Sequence, residues 1–319
     1  MLKAPFPWFG GKSLVADVVW QRFGEVKNYV EPFFGSGAIL LNAPQIANTE
    51  TINDLDGFVA NFWRAISRDP SEVAKWADNP VNENDLHARH SWLVGIRDEF
   101  VSMLEGDPEF YDAKVAGWWC WGICCWIGGG WCSGNGPWQV NDKRKLVHLS
   151  AGRGVNRKLV HLADAGQGVN RKLVSGIEEW FYALSNRLGR VRVCCGDWSR
   201  VCGPTPTVKQ GLAGVFLDPP YGAAANRTSN LYREDSETLS GAIQAWCKKW
   251  QDDPRMRIAL CGYDGEYDLP EWDCKPWKAS GGYANESKKH DNPNAKKERI
   301  WFSPHCLAAK QKTLFSEVA

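Results

Sequence analysis

The sequence predicts an α/β protein in which a parallel sheet with crossover helices is interrupted by one inserted segment. Short apolar runs bounded by turn residues alternate with helix-periodic stretches over residues 29–68 and again over 176–305. Between them, residues 118–174 lose that alternation and become rich in Gly, Trp and Cys, then basic. A third observation is FLDPPYG, Phe216 to Gly222, where an apolar run stops at an acid and two prolines. Proline cannot continue a central strand, so pairing must end where Asp218 appears.

Taken in order, NYVEP is a short buried strand and FFGSGAILLNA turns on its glycines into an apolar helix. TETIND is a second strand, DGFVANFWRAI has helical periodicity, and helical sequence continues from Pro70 to Leu104. Alternation of this kind implies parallel strands joined by crossovers. The 118–174 segment contains a repeat, RKLVHLSAGRGVN at 144–156 followed by RKLVHLADAGQGVN at 157–170, and RKLV begins again at Arg171. Two copies are too few for a solenoid, so a duplicated loop or hairpin is expected. The α/β pattern resumes with the helix GIEEWFYALSNRLG and the strands VRVCCGDW and AGVFLDPPY. The helix SETLSGAIQAWCKKWQ, the strand MRIALCGY and a last strand ERIWFSP follow. The polar stretch KASGGYANESKKHDNPNAKKE reads as a basic loop.

With 319 residues, 44% hydrophobic and 24% charged, the chain has the composition of an ordinary soluble globular protein. Its net charge of +1 announces no nucleic-acid partner, although a segregated basic face is compatible with it. The cysteines number 11, and the pairs Cys124-Cys125 and Cys194-Cys195 are adjacent, so a reduced, cytoplasmic chain is expected. The stretch MLKAPFPWFGGK lacks a signal-peptide core, and AGWWCWGICCWIGGGWC is too short and glycine-rich to span a membrane. Of the 18 tryptophans, six lie between Trp118 and Trp138, marking that stretch as either a special surface or a special core.

Three constellations carry chemistry. FFGSG, Phe33 to Gly37, lies between a strand and a helix, where glycines let the backbone approach a ligand, or merely serve packing. Asp54 ends the second strand about 20 residues after that turn, which suits a ribose diol. An N-cap at Asp54 or Asp56 for the following helix is the competing role. In DPPY, Asp218 and the carbonyl of Pro219, held rigid by Pro220, could accept the hydrogens of an exocyclic base amine, and Tyr221 could stack on the base. A bare strand-ending turn would use the same Asp and Pro residues.

PFPWFGGK (Pro5 to Lys12), YVEPFFGSGAILLN (Tyr29 to Asn42), IND (Ile52 to Asp54) and DPPY (Asp218 to Tyr221) resemble, in this order, the Dam-type DNA adenine-N6 methyltransferases. The resemblance covers residues 1–70 and 176–305 and points to the phage and bacterial members with the DPPY motif. It implies a Rossmann-like sheet, S-adenosyl-L-methionine as cofactor, duplex DNA as partner, no membrane, no metal and no covalent enzyme intermediate. It also implies the cytoplasm of a bacterial cell or phage-infected host. Trp8 and Lys12 match the N-terminal cofactor contacts, Phe33, Gly35 and Gly37 the methionine-side turn, and Asp54 the ribose acid. Asp197-Trp198, in the strand before DPPY, resemble the position bordering the cofactor adenine, and Asp218 matches the acid close to both cofactor and target amine.

The resemblance divides the chain into a catalytic domain, 1–117 and 175–319, and a target-recognition domain, 118–174. In that insertion Arg144, Lys145, Arg153, Arg157, Lys158, Arg171 and Lys172 are candidate DNA contacts, with a small tryptophan core and solvated rim as the alternative. Cys120, Cys124, Cys125 and Cys132 lack the paired CxxC spacing of structural zinc sites. His148 and His161 sit inside apolar LVHL repeats and read as packing residues. Lys288, Lys289, Lys296, Lys297 and Arg299 form the basic loop, either solvated or clamping phosphates. Three functions follow: adenine-N6 methylation of a flipped base in duplex DNA, exocyclic-amine methylation of cytosine N4 or RNA, or DNA binding by an inactive methyltransferase fold. The recognition sequence, the oligomeric state and a partner restriction endonuclease are left open.

Overall fold

The structure is a computed structural model that describes residues 2–8, 10–126, 130–132, 138–140, 146–148, 176–220, 231–277 and 297–308, with the backbone alone at 138–140, 146–148 and 231–237. Tyr221, Arg144, Lys145, Arg153, Arg157, Lys158, Arg171, Lys172, His161, Lys288, Lys289 and Lys296 lie outside the described residues, as does the His148 side chain.

Nine strands are described: β1 (Asn28–Glu31), β2 (Thr49–Asp54), β3 (Trp138–Val140), β4 (Leu146–His148), β5 (Val191–Cys195), β6 (Ala213–Leu217), β7 (Met256–Tyr263), β8 (Asp273–Pro276) and β9 (Glu298–Phe302). The described helices are α1 (Ala16–Phe23), α2 (Ala38–Leu41), α3 (Gly57–Arg68), α4 (Pro70–Ala77), α5 (Glu83–Gly106), α6 (Ala113–Cys125), α7 (Ile177–Leu188) and α8 (Leu231–Trp250). Seven strands form a mainly parallel sheet in the order β5-β2-β1-β6-β7-β9-β8, the Rossmann-like arrangement of methyltransferases. β1 pairs in parallel with β2 and β6, and β6 with β7, whereas β9 runs antiparallel to β7 and β8. All residues of β1 and β6 are buried, as expected for central strands covered on both faces.

Every expected strand and helix of the two alternating regions is present. VRVCCGDW is shorter than expected, ending at Cys195, because Trp198 already opens a 3-10 turn and leaves Asp197-Trp198 beyond the strand. Helix α6 starts at Ala113 and so crosses residue 118, with its composition of Trp, Gly and Cys hiding a helix. In the first repeat copy, Leu146–His148 pairs antiparallel with Trp138–Val140 as a short hairpin.

The chain divides into two compact units. The first comprises residues 1–9, 35–37 and 53–198, and holds α3 to α7 and β5. Side chains of Asp56, Asp69, Asn82 and Asp112 cap the starts of α3, α4, α5 and α6, each accepting a backbone N–H of the first turn. Trp63, Trp119, Trp121, Phe62 and Phe181 are fully buried, so these tryptophans are core rather than surface. Phe6 enters the same cluster, with ring centroids 4.9 Å from Trp119 and 5.1 Å from Phe62. Gly117 lies where an added Cβ would run into Trp76 and the backbone of Val73, and so lets α6 lie close on α4.

The second unit comprises residues 10–34, 38–52 and 199–319, with α1, α2, α8 and five of the strands besides the first four residues of β2. Its core holds Phe23, Tyr29, Phe216, Phe302, Ile39 and Leu40. Trp20 donates its indole N–H to the Ile39 carbonyl at 2.8 Å, which fixes the short α2 after the glycine turn. Among the described residues, no helix is long and apolar enough to cross a membrane.

Candidate active site

In the first unit, the glycine turn meets the end of β2. Gly35 and Gly37 have φ of 47° and 64°, the left-handed region that glycine enters without a Cβ penalty. The Gly35 N–H donates to Oδ2 of Asp54 at 2.9 Å, and the Asp56 N–H donates to Oδ1 at 2.9 Å. Asp56 itself caps α3 through the Phe58 N–H at 2.9 Å. The two roles that were open for Asp54 and Asp56 are therefore divided between them: Asp56 is the cap, and Asp54 faces the turn.

Two tryptophans complete this cradle. Trp63 on α3 donates its indole N–H to the Gly35 carbonyl at 2.8 Å, so both backbone groups of Gly35 are held. The indole of Trp8 lies where a Cβ on Gly35 would sit. Burial, reinforced by the Asp56 charge, pushes the Asp54 carboxyl up to about 7, against the lowering effect of the N–H donors. Each Asp54 oxygen accepts one of these bonds and has a second lone pair for a donor such as a diol hydroxyl.

In the second unit, β6 stops at Leu217 and Asp218 follows, with Pro219 buried and Pro220 exposed. Lys12, only 4% exposed, forms an ion pair with Oδ2 of Asp218 at 2.8 Å. Its ammonium also donates to the Gly10 carbonyl at 2.8 Å and lies 5.1 Å from the Trp277 ring centroid. Burial alone would lower the Lys12 pKa, but the Asp218 charge, assisted by Cys261 and Glu298, turns the shift upward. Lys12 is therefore a fixed cation.

Phe33 is half-buried between β1 and α2, Trp198 is buried, and Asp197 lies between β5 and the following 3-10 turn. Three participants were not singled out from sequence: Trp63, Trp277 and Glu298. None of the three had a local signal; Glu298 is followed by Arg299 in ERIWF, so it reads as one of two charged residues at a strand end. Lys297 and Arg299 of the basic loop flank it, and Arg299 pairs with Asp264 at 3.0 Å.

The cysteines of α6 are packing residues in this structure. Cys120 and Cys124 direct their thiols at the Pro5 carbonyl, at 3.9 and 3.5 Å. Burial raises the Cys120, Cys125 and Cys132 pKa values, which favours the thiol over the metal-binding thiolate. Among the described residues, no group of three or more His, Cys, Asp or Glu side chains is arranged to hold a metal ion.

Residues 8–106 match the family model described as D12 class N6 adenine-specific DNA methyltransferase. A DNA N-6-adenine-methyltransferase of Escherichia phage P1 is 34% identical over 99 residues, covering 30% of this chain and 13% of the phage protein. The matched segment thus spans a small part of that relative's length. The type II methyltransferase M.MjaIII of Methanocaldococcus jannaschii is 23% identical over 235 residues, 70% of each chain. The similarity to adenine-N6 DNA methyltransferases expected from the motifs is therefore present, and its family-level part covers Trp8, Lys12, the glycine turn and Asp54.

Proposed function

We propose that this chain, whose residues 8–106 are of the D12 class, is an S-adenosyl-L-methionine-dependent DNA methyltransferase acting on the N6 amine of a flipped adenine. The observation that carries the reading is the Lys12–Asp218 ion pair at 2.8 Å, which brings the GGK and DPPY motifs, distant in sequence, to one place at the end of β6. The ammonium holds the Asp218 carboxylate in one orientation, which is what an acceptor for an amine hydrogen requires.

The residues of the first unit fit the cofactor. Asp54, with spare lone pairs beside the turn glycines, would hold the ribose diol, and Gly35, Gly37 and Trp8 the neighbouring part. Phe33, Asp197 and Trp198 are proposed to border it. When bound, the cofactor supplies a methyl group activated by a sulfonium. The chain's own work is to orient and polarise the amine. Asp218 and the Pro219 carbonyl accept its two hydrogens, which localises the nitrogen lone pair, while Tyr221 stacks on the base. Orientation of this kind is the main source of acceleration for a direct displacement.

Residues 118–174 are proposed as the target-recognition domain inserted between 1–117 and 175–319. Arg144, Lys145, Arg153, Arg157, Lys158, Arg171 and Lys172 are its phosphate and base contacts. Removing 157–170 should weaken or redirect DNA recognition more than cofactor binding, and a loss of cofactor affinity alone would refute that role.

A transfer assay with tritiated cofactor on unmethylated duplex DNA tests the function. Label in N6-methyladenine supports it. Label in cytosine or RNA would instead identify another exocyclic-amine methyltransferase, and tight DNA binding without label an inactive fold.

A further inference from the structure

Glu298 opens β9 with only 7% of its surface exposed, and its Oε2 is buried without a hydrogen-bond partner among the described residues. A buried carboxylate oxygen left without a donor keeps its desolvation penalty, so another interaction must offset it. The sheet register identifies that interaction. Glu298 lies opposite Tyr263 and Ile300 opposite Cys261 on β7, while Leu260 of β7 lies opposite Leu217 of β6. Opposed residues share a face and alternate along each strand, so Glu298, Tyr263 and Cys261 share one face. Asp218, one position beyond Leu217, comes alongside Cys261 at the end of β6. The ammonium that pairs with Asp218, that of Lys12, also lies in the field of Glu298.

We propose that Glu298 is a positioning residue for methyl transfer, sharing the Lys12 ammonium with Asp218 and thereby setting how much negative charge Asp218 offers the amine. The proposal rests on the reading of Asp218 as the acceptor of the amine hydrogen. With Glu298 ionised, two carboxylates hold one ammonium and the cluster carries a net negative charge. With Glu298 protonated, Lys12 belongs to Asp218 alone and the cluster is neutral. The difference matters because the amine nitrogen becomes positive during the reaction. Its lone pair forms the bond to the methyl carbon, the carbon–sulfur bond breaks with its electron pair left on sulfur, and the surplus proton passes from nitrogen to Asp218 or water. The negatively charged cluster stabilises that developing charge.

The remaining groups around Glu298 leave the assignment intact. Cys261 on β7 is buried and held as a neutral thiol, and Tyr263 adds a phenol. Trp277 donates its backbone N–H to the Glu298 carbonyl at 3.2 Å and contributes only an indole. Arg299 turns to Asp264 at 3.0 Å, and Lys275 of β8 to Asp273 at 2.8 Å. Glu31 on β1 accepts the Tyr29 hydroxyl at 2.7 Å. Burial pushes the Glu298 carboxyl up to about 7, with Lys12 opposing and Asp218 reinforcing, so its charge changes near neutral pH.

The test measures kcat against pH on duplex DNA for wild type, Glu298→Gln and Glu298→Asp, with thermal melts to verify folding. In wild type, kcat rises between pH 6 and 8; Glu298→Gln abolishes that rise and is several-fold slower at pH 8. Glu298→Asp restores the rise, and at each pH the cofactor KM of both variants matches that of wild type. A wild-type pH profile in Glu298→Gln would overturn the proposal. A second measurement needs no turnover: carbon-13 NMR of the glutamate carboxyls in the full chain, with the Glu298 signal assigned by Glu298→Gln. In Asp218→Asn the Glu298 midpoint falls, because Lys12 then serves Glu298 alone. An unmoved midpoint overturns the sharing of Lys12, whereas absence of transfer by wild type with a moved midpoint refutes only the reading of the reaction.

Discussion

Gly35 donates its backbone N–H to Oδ2 of Asp54 at 2.9 Å, tying the glycine turn to the end of the second strand. The bond unites two motifs that are ambiguous apart. A glycine pair serves packing in many turns, and an aspartate before a helix is most simply a cap. Their contact fixes the orientation of the Asp54 carboxylate beside the turn.

The proposed role of Asp54 predicts that cofactor binding is pH-dependent. A diol donates to the ionised carboxylate, so affinity for S-adenosyl-L-methionine should rise as pH passes through about 7, where this group ionises. Calorimetric titrations at pH 6 and pH 8 measure it, and Asp54→Asn should flatten the difference. The same shift bears on stability with opposite sign. Because the folded-state pKa is raised, ionising Asp54 opposes folding, and stability declines as pH rises from the unfolded value near 4 toward about 7. Urea unfolding of the cofactor-free chain should show the Asp54 component of that decline, absent in Asp54→Asn.

Gly35→Ala should destabilise by about 1–3 kcal/mol, since alanine disfavours a φ of 47° and its methyl meets the Trp8 indole. Trp8→Ala removes the collision but not the backbone strain. In a double-mutant cycle by urea denaturation, the Trp8→Ala/Gly35→Ala pair should therefore lose less than the sum of the singles. Additive losses would show that Trp8 does not press on this turn.

Lys12→Met should cost about 3 kcal/mol and abolish transfer, because Asp218 loses the cation that offsets its partial burial. With 22% of the Asp218 side chain exposed, the cost sits at the low end for broken buried pairs. The ion pair also changes the choice of variant at Asp218. Alanine there strands a buried ammonium and confounds fold with catalysis, so Asp218→Asn is the cleaner test. It should abolish transfer and lose less stability than alanine, because the amide oxygen still accepts from the Lys12 ammonium.

Arg64 predicts a purely structural effect. This buried arginine donates to the carbonyls of Asp107 and Phe110 at 2.9 and 2.8 Å, and to Leu104 at 3.3 Å, closing the end of α5. Arg64→Met should destabilise by about 3 kcal/mol through unpaired carbonyls and leave the cofactor affinity of the folded fraction unchanged.

The sheet was legible because its strands are bounded by turn residues and its helices by side-chain caps such as Asp56 and Asn82. The residues of the proposed site stood out in the sequence where chemistry and motif coincide, as at Asp54 and Asp218. Helix α6 was not, since AKVAGWWCWGICC is apolar on all sides and a buried helix has no amphipathic period to read. Strand β8 escaped because DCKP is a short, polar edge strand ended by proline. Glu298 escaped for a different reason: its partners Lys12 and Asp218 are brought to it by strand register, which no local pattern encodes.

The Lys3–Trp8 segment has a consequence for synthesis on the ribosome. Its partners are made long after it: Phe6 packs on Trp119, and the Trp180 indole donates to the Lys3 carbonyl at 3.1 Å across 177 positions. The emerging chain must therefore carry this aromatic segment undocked until α7 has left the exit tunnel. Completion of the aromatic cluster around Phe6 is thus a late event, and chaperones that shield apolar nascent segments have a target here long before it docks.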